Sequence, residues 1–234
     1  MLTKVKIEKI LSKSKYNFDD LCLIMEILRG EGGCPWDMEQ THESIRKNFI
    51  EETYEVIEAI DNKDIELLRE ELGDVLLQVV FHAQMEKEAE SFNINDVTND
   101  VCAKLIHRHP HIFGDVTANT AEEVLKNWES IKNIEKSRET LYDKLNSIPS
   151  MTPALMRASK VSKKSGEYKE FTNSEIIDKI KLMINEISTA PDNIENSTMG
   201  ELLFALSALS HKADIDPEEA LFKYTNQFID KYKN

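Results

Sequence analysis

Five acidic residues are spaced so that they could do chemistry together: Glu51, Glu52 and Glu55 in one stretch, Glu71 and Asp74 in the next. Glu52 and Glu55 are three apart, as are Glu71 and Asp74, so on helices each pair shares a face. Residue 63 is a mirror point. Positions 55 and 71 are equidistant from it, and so are 52 and 74. An antiparallel helical hairpin turning at Asn62-Lys63 therefore sets Glu55 opposite Glu71 and Glu52 opposite Asp74. With helix axes roughly 8–10 Å apart, four carboxylates converge on a volume that one or two hard cations fill. Without a cation they repel and raise one another's pKa. An all-oxygen donor set suits Mg²⁺, with Mn²⁺ the alternative. Magnesium keeps waters and accepts phosphate oxygens, so such a cage suits a nucleotide's phosphates. A merely solvated acidic face is the ordinary fate of glutamates. The apolar neighbours Val56, Ile57, Ile60 and Val75 to Phe81 set this face close to a core instead.

The elements that must carry these residues are helical. Apolar residues Leu21, Ile24, Met25 and Leu28 form a stripe on a helix from Phe18 to Leu28. Gly30 to Asp37 reads as loop. Helices follow over about Thr41 to Ile60 and Asp64 to Ala89. Asn95 is a candidate cap for a fourth helix ending near His107, before Pro110. Thr120-x-x-Glu123 reads as a capping box opening a fifth. Thr152-Pro153, Thr172-x-x-Glu175 and Asp216-Pro217 read as later helix starts. No β-alternating stretch stands out, and only 7 Gly and 6 Pro punctuate 234 residues, so the fold class is all-α. Leu72-Gly73-Asp74-Val75-Leu76-Leu77 resembles Met199-Gly200-Glu201-Leu202-Leu203-Phe204, which points to a duplicated helical module. The organisation predicted is an extension over 1–17, a catalytic helical domain over 18–136, a linker over 137–150 and a second helical domain over 151–234.

Composition narrows the partners. A formal net charge of −14 repels polyanions and argues against nucleic acid. No apolar run reaches the roughly 18 residues of a membrane span, and the N-terminus lacks a secretion signal's apolar core, so the cytoplasm is the expected compartment. Three cysteines (Cys22, Cys34, Cys102) without CxxC spacing predict reduced thiols. Glycines 30, 32 and 33 do not make a P-loop, since no Gly-Lys-Ser/Thr follows. His107, His109 and His111 are read as capping carbonyls or contacting phosphate, and Lys9, Lys13 and Lys15 as solvated.

The motifs resemble one family. Glu51-Glu52-x-x-Glu55 followed by Glu71-x-x-Asp74 is similar to the EExxE…ExxD signature of all-α nucleoside triphosphate pyrophosphohydrolases. Gly33-Cys34-Pro35-Trp36-Asp37, Gln40-Thr41-His42, Glu71-Leu72-Gly73-Asp74, Val80-Phe81-His82, Arg108-His109-Pro110-His111-Ile112-Phe113-Gly114 and Trp128-Glu129-x-Ile131-Lys132 resemble its MazG branch. The resemblance is dense over residues 18 to 136. It implies tandem MazG-like four-helix-bundle modules, with Glu52, Glu55, Glu71 and Asp74 as Mg²⁺ ligands and Glu51 as an accessory catalytic acid. It further implies that Lys104 and Arg108 approach the phosphates and that Trp128 and Lys132 contact the nucleotide. The implied reaction is metal-activated water attack on the α-phosphorus of a (d)NTP, giving (d)NMP and pyrophosphate. A homodimer is the family's implied assembly. Trp36 has two readings, a base-stacking ring or a loop anchor.

The second half departs from this pattern. Met183 and Thr198 stand where Glu52 and Glu71 do, leaving Glu186 and Glu201, and Gln227/Lys231 replace the Lys104/Arg108 pair. Half a cage holds Mg²⁺ poorly, so this module is expected to be degenerate, and a fragment of residues 150–234 to show no metal-dependent hydrolysis. Competing readings are a narrower dUTP or dCTP pyrophosphatase, a nucleotide-binding regulator without turnover and a structural adaptor.

Overall fold

The computed structural model describes residues 2–135 and 140–233. Every regular element among them is a helix, and the chain divides into two compact units, 1–117 and 118–234.

The first unit runs α1 (Leu2–Leu11), α2 (Phe18–Arg29), α3 (Pro35–Glu39), α4 (His42–Asn62), α5 (Ile65–Glu88), α6 (Ile94–Arg108) and the single turn α7 (Pro110–Phe113). Its centre is the α4–α5 hairpin, with α2 and α6 packed on α5 and α1 on α2. Met25, Ile45, Val80, Phe81 and Met85 make the core, flanked by Leu21, Cys22, Leu77 and Ile94. Each large apolar side chain buried there contributes about 1.5–3 kcal/mol.

The hairpin turn is tightly made. Lys63 sits at φ 56° in the left-handed region, and the Asp64 N–H reaches back to the Ala59 carbonyl at 2.9 Å. The Asp64 carboxylate then caps α5, accepting from the N–H groups of Glu66 and Leu67 at 3.1 and 3.0 Å. One residue thus ends the turn and begins the helix, which sets the register of the acids on either side.

Several local expectations are corrected. The Gly30–Asp37 loop contains α3, because Pro35 at the first helical position brings a preset φ and lacks only an N–H that would be orphaned there. Asn93, not Asn95, caps α6, since Asn93 and Asp96 close a reciprocal capping box. The N-terminal extension is mostly helix: α1 buries Ile10, and Lys13, expected to be solvated, pairs with buried Asp20.

The second unit contains α8 (Ala121–Glu135), α9 (Leu141–Asn146), α10 (Ala154–Ser165), α11 (Asn173–Thr189), α12 (Asn196–Lys212) and α13 (Pro217–Asp230). Its α11–α12 hairpin, with α10 and α13 packed on α12, repeats the arrangement of α4–α5 with α2 and α6. The tandem-module fold is therefore visible in the packing as well as in the text. Ile176, Ile180, Ala205, Ala208 and Tyr168 form a separate core. Of the expected linker, 137–139 lie outside the described residues; the rest folds as α9, capped by Thr140 with Asp143. Pro153 stands one position earlier than expected, flanking α10. The orphan N–H groups of Leu155 and Met156 find a distant acceptor, Glu218 of α13, at 3.2 and 3.3 Å.

Candidate functional site

The hairpin brings its acids together. Carboxylate oxygens of Glu52, Glu55 and Glu71 lie within 4.8 Å of one another, the one such group of three metal-ligating side chains among the described residues. Glu71 is buried at 8 % exposure, Glu52 and Asp74 are half-buried, and Glu55 and Glu51 face solvent. Burial raises the Glu52 carboxyl above the ordinary carboxylate range, and the charges of Asp74 and Glu55 raise it further. Glu71 is raised likewise, by burial first and then by Glu55 and Asp74. Glu55 lies in the tight group with Glu52 and Glu71 and raises both. Asp74 stands outside the tight group of three but close enough to act on two of its members. Glu51 adds its charge to Glu52 from the solvent side.

Crowded carboxyls, two of which are raised above the usual range, form a set short of positive charge. Among the described residues, burial and other acids are the largest influences on Glu52 and Glu71. All donors are oxygens, from two facing helices, which fits a hard divalent ion. On this chemistry the residues present fit Mg²⁺ or Mn²⁺.

The remaining expected residues are placed as follows. Lys104 and Arg108 lie one turn apart on α6, Lys104 exposed and Arg108 buried at 6 %. Trp36 is 57 % exposed on α3, so of its two readings the loop anchor fails: the ring is available to a ligand. Trp128 and Lys132 belong to α8 in the second unit, where the Lys132 ammonium lies 4.8 Å from the centre of the Trp128 ring. His109 bonds the Leu105 carbonyl through Nδ1 at 2.6 Å, a carbonyl cap as expected.

Two features of the site region went unread in the sequence. Gln78, 7 % exposed, follows Glu71 and Asp74 on the same stripe of α5, and its Oε1 accepts no hydrogen bond from the protein. Further along, His82 on α5 meets His42 at the start of α4. The stripe 71, 74, 78, 82, 86 was the available signal: polar residues at steps of three and four running through the apolar stretch Val75 to Phe81.

The MazG nucleotide pyrophosphohydrolase domain matches residues 40–113, a span that holds the hairpin acids, Lys104 and Arg108. The chain is 42 % identical over 219 residues to the nucleoside triphosphate pyrophosphohydrolase/pyrophosphatase MazG of Thermotoga maritima, covering 92 % of this chain and 84 % of that protein. To the nucleoside triphosphate pyrophosphohydrolase of Escherichia coli K12 it is 40 % identical over 224 residues, covering 92 % and 85 %. To the Mycobacterium tuberculosis protein of the same name it is 33 % identical over 216 residues, covering 92 % and 56 %.

Proposed function

The chain belongs to the MazG family, and from that premise we propose that it hydrolyses nucleoside triphosphates to monophosphates and pyrophosphate at the acidic cluster of the α4–α5 hairpin. The observation that carries this reading is the convergence of Glu52, Glu55 and Glu71 within 4.8 Å, with Asp74 electrostatically coupled to the set. Glu52, Glu55, Glu71 and Asp74 would hold Mg²⁺. When bound, the ion supplies polarisation of phosphate oxygens and a coordinated water of lowered pKa.

The protein's own residues do the rest. Glu52 and Glu71, raised above the ordinary carboxylate range, give up protons more readily as they become ligands, so cation binding is coupled to proton release. Buried Glu71 keeps one wall of the site fixed, while exposed Glu55 and Glu51 face the side from which substrate arrives. Glu51 serves as the accessory acid. Lys104 and Arg108 neutralise the phosphates from α6, and the Trp36 ring stacks on the base. Trp128 and Lys132 are assigned to the nucleotide on the resemblance of their segment alone. Pairing of two copies belongs to the same reading. Exposed Ile50, Tyr54 and Ile57 on α4, Leu72 and Leu76 on α5, and Val101 and Leu105 on α6 offer an apolar surface that a second copy would cover.

The deciding experiment measures pyrophosphate released from a panel of NTPs and dNTPs with and without Mg²⁺. Monophosphate and pyrophosphate in equal amounts, only with the ion, are the expected products. Diphosphate and orthophosphate would overturn the reaction assigned. Binding without turnover would make the protein a nucleotide sensor instead.

A further inference from the structure

At the open end of the α4–α5 hairpin three side chains form a hydrogen-bonded chain. His42 Nδ1 and His82 Nδ1 are 2.6 Å apart, and His42 Nε2 is 2.6 Å from Glu86 Oε1. The two imidazole planes differ by 3° and their centres are 4.9 Å apart. That spacing equals the N···N distance plus the two ring radii, so the rings lie edge to edge in a shared plane. Such a contact holds only when one nitrogen carries a proton and the other a lone pair. The Glu86 carboxylate can only accept, so whenever His42 is neutral its proton lies on Nε2 and Nδ1 is left as the acceptor. His82 is therefore the donor, through Nδ1–H. Burial, and then the charge of His42 whenever that ring is protonated, lower the His82 pKa, so His82 is the ring held neutral. The ring of Phe49 packs against His82 at 5.9 Å.

We propose that His42, His82 and Glu86 form a clasp that holds the open end of the hairpin shut against the mutual repulsion of the acidic cluster, so that both histidines are positioning residues for the cation site. The proposal rests on the cation reading above. The acids lie between two fixed points. On one side is the covalent turn at residues 62–64. On the other, His42 stands ten residues before Glu52 and His82 eight after Asp74, about 15 and 12 Å along their helices. Repulsion among the carboxylates pushes the helices apart; the turn restrains one end, and at the other the clasp adds a polar link to the packing of Ile45 against Val80, Phe81 and Met85. With the clasp gone, the carboxylates start further apart, and a cation must spend binding energy to gather them. Arg29 independently ties the segment before α4 in place, through the Asp37 and Gln40 carbonyls and the Glu88 carboxylate. Loss of the clasp therefore loosens this end without unfolding the unit.

The test uses the full chain. Long-range ¹H–¹⁵N NMR of the wild type, at a pH where both rings are neutral, should show His42 as the Nε2–H tautomer and His82 as the Nδ1–H tautomer. The His82→Phe variant keeps the packing against Phe49 and removes the donor. Its Mn²⁺ affinity, read from the electron paramagnetic resonance of free ion, should fall about tenfold, or about 1.4 kcal/mol. The Mg²⁺ concentration for half-maximal pyrophosphate release should rise by a similar factor, with the rate at saturating Mg²⁺ within about twofold of wild type. A general structural defect would lower that saturated rate as well. Glu86→Gln, which frees the proton order at a part-exposed position, should move affinity in the same direction and decides the matter if His82→Phe does not fold. Unchanged Mn²⁺ affinity in a folded variant, or the opposite tautomers, overturns the clasp while leaving the cation site standing. A wild type that binds no Mn²⁺ overturns both.

Discussion

Glu55 shares the tight group of three with Glu52 and Glu71 and raises the pKa of both of them. Replacing it by Gln keeps the size and removes the charge, so Mg²⁺-dependent pyrophosphate release should fall by about 100-fold or more. Turnover within about tenfold of wild type (~1.4 kcal/mol) would remove Glu55 from the ligand set. The same cluster sets a pH dependence of stability. Glu52 and Glu71 have folded pKa values raised above their unfolded values near 4.3. Their contribution to stability is thus fully present below about pH 4.3 and is lost as pH rises through the raised folded values. Asp20, Glu26 and Glu88 are lowered by their cationic partners and act in the opposite sense, so the comparison must be with a variant. In EDTA, urea unfolding of Glu71→Gln should show it gaining on wild type between pH 5 and pH 8. A constant gap would mean that Glu71 titrates normally. Mg²⁺ should reverse the order at pH 8, because only the wild type has the full set of ligands.

Among the elements, the hairpin turn and the end of α2 govern the site's geometry. Lys63 holds a left-handed conformation at φ 56°, which costs a side-chain-bearing residue about 1–2 kcal/mol. Glycine meets no such penalty but loses more freedom on folding. Lys63→Gly should therefore raise stability by about 0.5–1 kcal/mol, read as a higher urea midpoint at unchanged slope. A loss instead would mean that the turn conformation is not left-handed in solution. Arg29 is the opposite case. Its side chain is 8 % exposed, pairs with Glu88 through Nε and NH2, bonds the Asp37 and Gln40 carbonyls, and lies 5.3 Å from the Phe81 ring centre. Arg29→Ala leaves a carboxylate and two carbonyls to find water, and should cost about 2–4 kcal/mol by the same measurement.

At the scale of the whole molecule, one helical module occurs twice and only the first copy carries all four acids. Met183, at the position of Glu52, packs against the second core, and Thr198 replaces Glu71. Glu186 and Glu201 face solvent. Where the first unit has a half-buried carboxylate, the second has apolar packing, so regaining the cage would require burying charge in a finished core. The full chain carrying both Glu52→Gln and Glu71→Gln should accordingly show no residual Mg²⁺-dependent hydrolysis above background. A remaining metal-dependent rate would place a second active centre in residues 118–234. Among the described residues no helix is long and apolar enough to cross a membrane.

The sequence by itself determined the helical class, the duplication, the turn at Asn62-Lys63 and the acids that meet across it, because all of these follow from local periodicity and from symmetry about one short turn. Helix caps whose partners lie within three or four residues, as at Thr172 and Asp216, were legible for the same reason. Only the tertiary structure decided which contacts join residues far apart in the chain. Glu218 capping α10 from 62 or 63 residues away and Arg29 gripping Glu88 across 59 have no signature in spacing, since packing of the helices, not the pitch of any one of them, brings those side chains together. The unequal burial of the acids, which sets their protonation, belongs to that second kind.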